Sequence, residues 1–251
     1  MSGQRIWIAG ASTGLGAALA RCYGRAGCEL VLSARRAPLL EALAAEFPGR
    51  SAVYPLDVTD GAAVARTVAA IEEERGPLDL AILNAGTYAP MPAAAFSAAR
   101  CAEMMALNYG GVVHGLEALL PRFLARRCGR IAVTASLAGY VGLPYAGPYA
   151  ASKSALIALC ESLAPELAAA GVGLSVINPG FVRTPLTDRN DFEMPFLLDA
   201  DEAAARIAEG LAAGRFEIRV PRRLAWVMRA LSWLPHPLFF AVTRRMLRAP
   251  T

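Results

Sequence analysis

The sequence predicts an α/β fold in which helices cover both faces of a parallel sheet of about seven strands. Three observations carry the prediction. Short apolar runs alternate with helical stretches along most of the chain; the first run leads through a glycine-rich loop straight into an alanine-rich helix; and a later run, 78–83, is apolar throughout except for Asp79, as a strand buried on both faces must be. The 251 residues suit one large domain, predicted over 1–220, with a helical extension over 221–251. With 55% apolar and 18% charged residues, a disordered chain is excluded. Cys22, Cys28, Cys101, Cys128 and Cys160 are scattered without C-x-x-C spacing, which predicts a reduced, cytoplasmic protein with no metal site. The N-terminus reaches its glycine loop before any signal-length apolar segment develops, so no secretory address is expected.

Taken in order, the first strand is 5–9, followed by Gly10-Ala11-Ser12-Thr13-Gly14-Leu15-Gly16 and a helix over 17–26. Strand, glycine loop and helix in that sequence suit a nucleotide pyrophosphate, because glycines admit the phosphates to the backbone and the helix start favours negative charge. Strand two, 29–33, is followed by Ala34-Arg35-Arg36. Ala34 holds the place where an acid would bind ribose hydroxyls, and the arginines suit a further phosphate, so NADP is favoured with NAD as the alternative. The two arginines could also be a solvated pair opening the next helix, 39–47. Strand three, 51–56, ends in Asp57-Val58; Asp57 reads equally as a turn residue or a helix cap. The helix over 60–75 carries Glu72-Glu73-Glu74, most simply a solvated face. Strand four, 78–83, runs into Asn84-Ala85-Gly86.

One or two long helices are expected over 93–127, with Asn108 among them and His114 as an interface or packing residue, not a catalyst. Strand five, 130–135, delivers Ser136 to a loop whose turn residues, 142–148, should border a substrate. Tyr149 and Lys153 open the helix 150–170, which Pro165 is positioned to kink. Strand six, 173–177, leads to Asn178-Pro179-Gly180, then Val182 and Thr184. The segment 183–198 has no clean period and is rich in Leu186, Phe192, Met194, Phe196, Leu197 and Leu198, reading as ordinary core. A helix over 201–212 and a strand over 215–220 complete the domain.

The chemistry centres on Tyr149 and Lys153. Four residues apart on a helix, they share a face. A phenol is a poor acid–base catalyst near neutral pH, and a neighbouring ammonium lowers its pKa. Of the 25 basic residues, 24 are arginine; Lys153 is the only lysine. Lysine at this one position suits a need for a compact point charge instead of a planar fork; taken alone, the spacing also reads as a solvated lysine on a helix surface. Ser136 can bring a hydroxyl donor to the same spot.

The spacing G-x-x-x-G-x-G, with Tyr149-x-x-x-Lys153, Leu83-Asn84-Ala85-Gly86, Asn108 and Asn178-Pro179-Gly180 in that family's order, resembles the compact branch of the short-chain dehydrogenase/reductase family over most of the chain. The resemblance implies a Rossmann-type doubly wound sheet and hydride transfer between a nicotinamide and a carbonyl or secondary alcohol. It implies that Asn108, Ser136, Tyr149 and Lys153 are catalytic. The cofactor would be held by Gly10, Ser12, Thr13, Gly14, Leu15, Gly16, Arg35 and Arg36, by Asp57 and Val58 beside the adenine, and by Asn84, Ala85 and Gly86. Tyr149, Lys153, Pro179, Gly180, Val182 and Thr184 would serve its nicotinamide end. A homodimer or homotetramer is also implied, and the segment 183–198 would, as the alternative to ordinary core, form an apolar lid over the substrate. Ala9 departs from the family, where threonine is common. A catalytically silent NADP-binding sensor or scaffold would be expected to lack one of the four catalytic side chains, and an epimerase or dehydratase to have a longer chain and other glycine spacing.

The tail is distinctive. Seven of the 25 basic residues and none of the 21 acidic ones lie from Ile218 onward, so the tail is +7 and the remainder −3. Its apolar pieces, 226–234 and 238–242, are broken at Pro235-His236-Pro237 and fall short of the roughly 20 residues that span a bilayer. Tryptophan and phenylalanine among arginines predict peripheral contact with the inner face of an anionic membrane; packing over the substrate cleft and an oligomer contact are the rivals. No nucleic-acid partner is expected. The substrate is expected to be an apolar, small-molecule ketone or alcohol.

Overall fold

The computed structural model describes residues 3–189 and 193–247. Among them, seven strands form one parallel sheet: β1 (Arg5–Ala9), β2 (Glu29–Ser33), β3 (Ser51–Val53), β4 (Leu80–Leu83), β5 (Arg130–Thr134), β6 (Gly173–Pro179) and β7 (Glu217–Val220). Their spatial order is β3-β2-β1-β4-β5-β6-β7. The chain winds outward from β1 to β3, then crosses to β4 and winds the other way. The carboxyl ends of β1 and β4 therefore flank a crevice that no connection crosses, the place where such sheets bind ligands.

Alternation along the strands divides the core. Ile6 and Ile8 point to one face, where they meet α1 (Gly14–Arg25), α2 (Ala37–Ala45) and α7 (Ala200–Ala212); Trp7 and Ala9 point to the other, among α3 (Gly61–Arg75), α5 (Gly111–Arg126) and α6 (Gly147–Ala169). Both faces being buried explains why the central strands read as continuous apolar runs.

Several local expectations are corrected. β3 stops at Val53, short of Leu56, and α1 begins at Gly14, inside the glycine loop. The stretch 93–127 breaks into a short turn, α4 (Ala98–Met105), a widened helical turn over Ala106–Gly110 and α5. Asn108 sits in that widened turn, an irregularity often found at functional sites. Pro165 lies inside α6 without ending it. Glu72 is not on a solvated face: Arg122 and Arg126 of α5 pair with it at 3.2 and 2.7 Å, tying α3 to α5. Asp60, not Asp57, caps α3, accepting from Ala63 N; Asp57 accepts from Thr59 N and Oγ1 and makes the preceding turn.

Beyond β7 the chain forms α8 (Arg222–Ser232) and α9 (His236–Thr243), separated at Pro235 as the sequence anticipates. Among the described residues no helix is long and apolar enough to cross a membrane. Leu224, Ala225 and Met228 of α8 pack with Leu137 into a third apolar cluster, flanked by Tyr140, Val141, Leu143 and Phe181. The buried face of the tail thus covers the loops after β5 and β6.

Candidate active site

The crevice begins with a close backbone approach. Gly10, at φ +92°, would place a Cβ 2.6 Å from Ala85 N, and a Cβ on Gly16 would lie 2.0 Å from the Gly10 carbonyl oxygen. Asn84 Nδ2 donates to that carbonyl at 3.1 Å. Only glycine lets the loop after β1 close on the Asn84-Ala85-Gly86 segment after β4. Leu15 packs down onto the core as the loop turns into α1. Thr13 precedes α1 without a side-chain cap bond, and the first turn holds no acid, so its N–H groups and the helix dipole suit an anion. Gly14 abuts the Thr184 side chain, 3.2 Å from where a Cβ would stand.

Arg36 Nη2 donates to Ser12 Oγ at 3.1 Å and Thr13 Oγ1 at 3.2 Å, which brings a guanidinium to the rim of the glycine loop. Arg35 is exposed and faces Asp57, whose carboxyl is held below its ordinary value chiefly by the two Thr59 hydrogen bonds, with Arg35 assisting. Val58 buries its side chain against Gly111, and its carbonyl accepts from His114 Nδ1 at 2.9 Å; any contact it makes in the crevice falls to its backbone. His114 is the packing residue the sequence suggests.

At the other end Tyr149 and Lys153 lie on one face of α6, with Lys153 Nζ 5.8 Å from the Tyr149 ring centre. Lys153 is 3% exposed and donates to the Thr134 carbonyl at 2.8 Å. Burial pulls its pKa down to about 8. A Cβ on Gly86 would stand 3.5 Å from Nζ and 3.3 Å from Asn108 Oδ1, so the segment after β4 reaches both groups. Asn108 is fully buried: Oδ1 accepts from Thr87 N at 2.7 Å, and Nδ2 donates to Thr87 O and Ser152 Oγ, each at 3.0 Å. Ser152 Oγ in turn donates to the Tyr149 carbonyl at 2.7 Å.

Ser136, at the end of β5, accepts from Ala138 N at 3.1 Å and donates to the Pro179 carbonyl at 3.3 Å, drawing the ends of β5 and β6 together. The Tyr149 hydroxyl differs from the sequence expectation: its pKa lies above the ordinary tyrosine value, because burial raises it most, while the Ser136 hydrogen bond lowers it and Tyr88 raises it further. Lys153, turned onto Thr134, is not among the causes. Tyr88 packs edge-on against Tyr149, with ring centres 5.1 Å apart at 73°.

Asn108, Ser136 and the Tyr149–Lys153 pair, from three separate elements, thus come together next to the Asn84-Ala85-Gly86 segment on which the glycine loop packs. Gly180 donates its N–H to Val220 O at 2.7 Å and lies under Leu224; Val182 is buried and bridges to Leu198. Within the apolar segment 183–198, Phe196 is exposed and Leu198 packs on the core, while Phe192 lies outside the described residues. Sequence reasoning missed Ser152, Thr87, Tyr88 and the Thr134 carbonyl. Ser152 adjoins Lys153 and could have been noticed; a backbone acceptor leaves no trace in sequence.

The residues fit a dinucleotide: an open helix start and an arginine at one end, bare backbone in the middle, and a phenol, a hydroxyl and an ammonium at the other. Comparison with known proteins agrees. The family model for short chain dehydrogenases matches residues 4–194. The chain is 36% identical over 249 residues to an uncharacterised oxidoreductase of Myxococcus xanthus, covering 98% of each. Among solved structures, a short chain dehydrogenase/reductase from Burkholderia phymatum in complex with NAD is 28% identical with a TM-score of 0.83, covering 100% of this chain and 97% of that one. An alcohol dehydrogenase from Thermococcus sibiricus complexed with 5-hydroxy-NADP is 27% identical with a TM-score of 0.79, covering 86% and 95%. Fold, crevice and relatives converge: the chain belongs to the short-chain dehydrogenase/reductase family of oxidoreductases.

Proposed function

We propose that this oxidoreductase, with NADP favoured over NAD, interconverts an apolar ketone and its secondary alcohol. The observation that carries the reading is the cluster itself: a phenol bonded to Ser136, with the chain's only lysine buried behind it. A nicotinamide bound in the crevice would supply or accept the hydride. Tyr149 Oη gives the proton to the substrate oxygen in reduction and takes it in oxidation. Ser136 Oγ, turning its single proton from the Pro179 carbonyl, donates to that oxygen as charge develops on it, the kind of placed donor that contributes much of a barrier reduction. Lys153 keeps positive charge near Tyr149 and would be the residue to hold the ribose of a bound nucleotide. Asn108 Oδ1, which already accepts from Thr87, has a second lone pair for a water relaying protons from Lys153.

NADP preference is supported by Arg36 at the rim of the glycine loop, with Arg35 beside it, and by the lack of an acid at the end of β2. The two neighbours bound to NAD and to an NADP derivative show that this fold accommodates either. An apolar substrate is supported by Leu137, Leu143 and Phe181 clustering next to Ser136. The tail adds peripheral contact with an anionic membrane to the proposal: Trp226, Val227, Trp233, Leu238, Phe240 and Met246 are exposed among arginines. By analogy with the family, the chain works in the cytoplasm as a homodimer or homotetramer.

The test is nicotinamide absorbance with both cofactors against panels of ketones and secondary alcohols. Wild type is expected to turn over apolar carbonyls with NADPH; Tyr149→Phe is expected to keep nucleotide binding and lose about a thousandfold in kcat, within the range for general acid–base catalysis. Full activity in Tyr149→Phe would remove the assignment, and a wild type that binds NADP but turns over nothing would point to a silent sensor.

A further inference from the structure

The tail does more than cover the loops after β5 and β6; it is wired to them. Tyr140, four residues after Ser136, hydrogen-bonds Glu217 of β7 through its hydroxyl. Asn178, immediately before Pro179, is fully buried and donates to Tyr140 Oη at 3.3 Å and Glu217 Oε1 at 3.0 Å. Arg229 of α8 closes the cluster: its guanidinium carbon stands 4.5 Å from the Tyr140 ring centre and Nη2 lies 3.6 Å from Glu217 Oε1. Arg219 flanks Glu217 at 3.6 Å and reaches the Trp226 ring at 5.4 Å.

The two ends of this cluster bracket Ser136. One strand end contributes Pro179, whose carbonyl accepts from Ser136 Oγ; the other contributes the turn Leu137–Gly139, whose Ala138 N–H donates to the same oxygen. Asn178 and Tyr140 hold the chain on either side of those two contacts. Glu217 and Arg229 are thereby linked to the backbone on both sides of Ser136.

We infer that Tyr140, Asn178, Glu217 and Arg229 form a positioning network through which α8 sets the Ser136 hydroxyl, making the C-terminal tail part of the catalytic apparatus. The inference rests on the proposed role of Ser136 as donor to the substrate oxygen. It differs from simple packing in its dependence on Ser136. A structural prop costs the same whatever stands at position 136, whereas a positioning residue loses its effect once the group it positions is gone.

The experiment is a double-mutant cycle with a second, non-catalytic readout. Ser136→Ala is expected to cost about a hundredfold in kcat. Tyr140→Phe is expected to cost about tenfold in wild type, with the nucleotide KM unchanged, and almost nothing further in the Ser136→Ala background. Arg229→Ala should follow Tyr140→Phe, and Arg229→Lys should recover part of the loss, since it keeps a cation over the ring. Equal costs in both backgrounds, or an unchanged kcat in Tyr140→Phe, would overturn the network. If Tyr140→Phe folds poorly, the partly exposed Arg229 carries the cycle. In parallel, amide hydrogen exchange should speed up at Ala138 and Gly139 in Tyr140→Phe and Arg229→Ala while β4 and β5 stay protected. Unchanged exchange at the turn rejects the network even if no substrate is found, which separates its failure from that of the oxidoreductase reading.

Discussion

On one side of the crevice Gly10 and Gly16 let the loop after β1 close on Asn84 and Ala85, backbone against backbone. On the other side, side chains of Tyr140, Asn178, Glu217 and Arg229 hold the loops after β5 and β6 to α8. The first wall uses the absence of side chains and tolerates no added atom. The second uses long side chains meeting from separate elements, and each can be trimmed with a graded response. Nucleotide binding is expected to be all-or-nothing in its geometry, while placement of the substrate oxygen, if Ser136 has its proposed role, is expected to be adjustable.

The largest effect should come from the rigid wall. Gly16→Ala drives a methyl to 2.0 Å from the Gly10 carbonyl, where backbone must move. Overpacking of this kind costs about 1–3 kcal/mol or more, and nucleotide binding should disappear with it; urea unfolding and a nucleotide titration check both. A variant that binds NADP normally would break the contrast between the walls.

Next is Lys153→Met. The folded-state pKa of Lys153, about 8, lies below the ordinary 10.5, so between those values the folded chain binds fewer protons than the unfolded one and stability rises with pH. Below about pH 8 wild type carries the full burial cost, on the order of 3 kcal/mol. Relative to wild type, the stability of Lys153→Met should be greatest near neutral pH and decline as pH rises from about 8 to 10.5, while turnover is lost throughout. A stability difference independent of pH would show that the ammonium is not buried as described.

Arg36→Ala removes the cation bonded to Ser12 and Thr13. It should raise KM for NADPH about tenfold, the size of one charge-assisted contact, and leave KM for NADH within about twofold. Equal changes for both would assign Arg36 to the loop, not to cofactor choice. The smallest effect on stability should follow Trp226→Ala with Trp233→Ala, both exposed, at about 0.5 kcal/mol or less. Flotation with anionic liposomes should nevertheless fall in the pair. If wild type never floats while active, the membrane part of the proposal fails.

Much of the first wall was legible because its signals are local. Gly10, Gly14 and Gly16 lie between a strand and a helix, and Asn84-Ala85-Gly86 follows the next central strand, so the fold and the glycine loop could be read in order along the chain. Tyr149 and Lys153 were legible for the same reason, being one helical turn apart. Less was visible where a residue's partner is distant. Glu72 looked like part of a solvated acidic run, yet it pairs with two arginines of α5. Burial, not the ammonium, sets the direction of the Tyr149 shift here: spacing reports that Lys153 is near, but not that the ring is desolvated and the ammonium turned onto Thr134.

By itself the sequence determined the parallel α/β architecture, the glycine loop and the identity of the four side chains proposed for catalysis. Those features depend on periodicity and on residue type at short range. Only the tertiary structure decided that Lys153 is directed at the Thr134 carbonyl, that Asn108 occupies a widened helical turn braced by Thr87 and Ser152, and that Arg229 of the tail reaches Tyr140. Each of these depends on hydrogen-bond geometry and burial between segments far apart in the chain, which exist only after the sheet has brought its strand ends together.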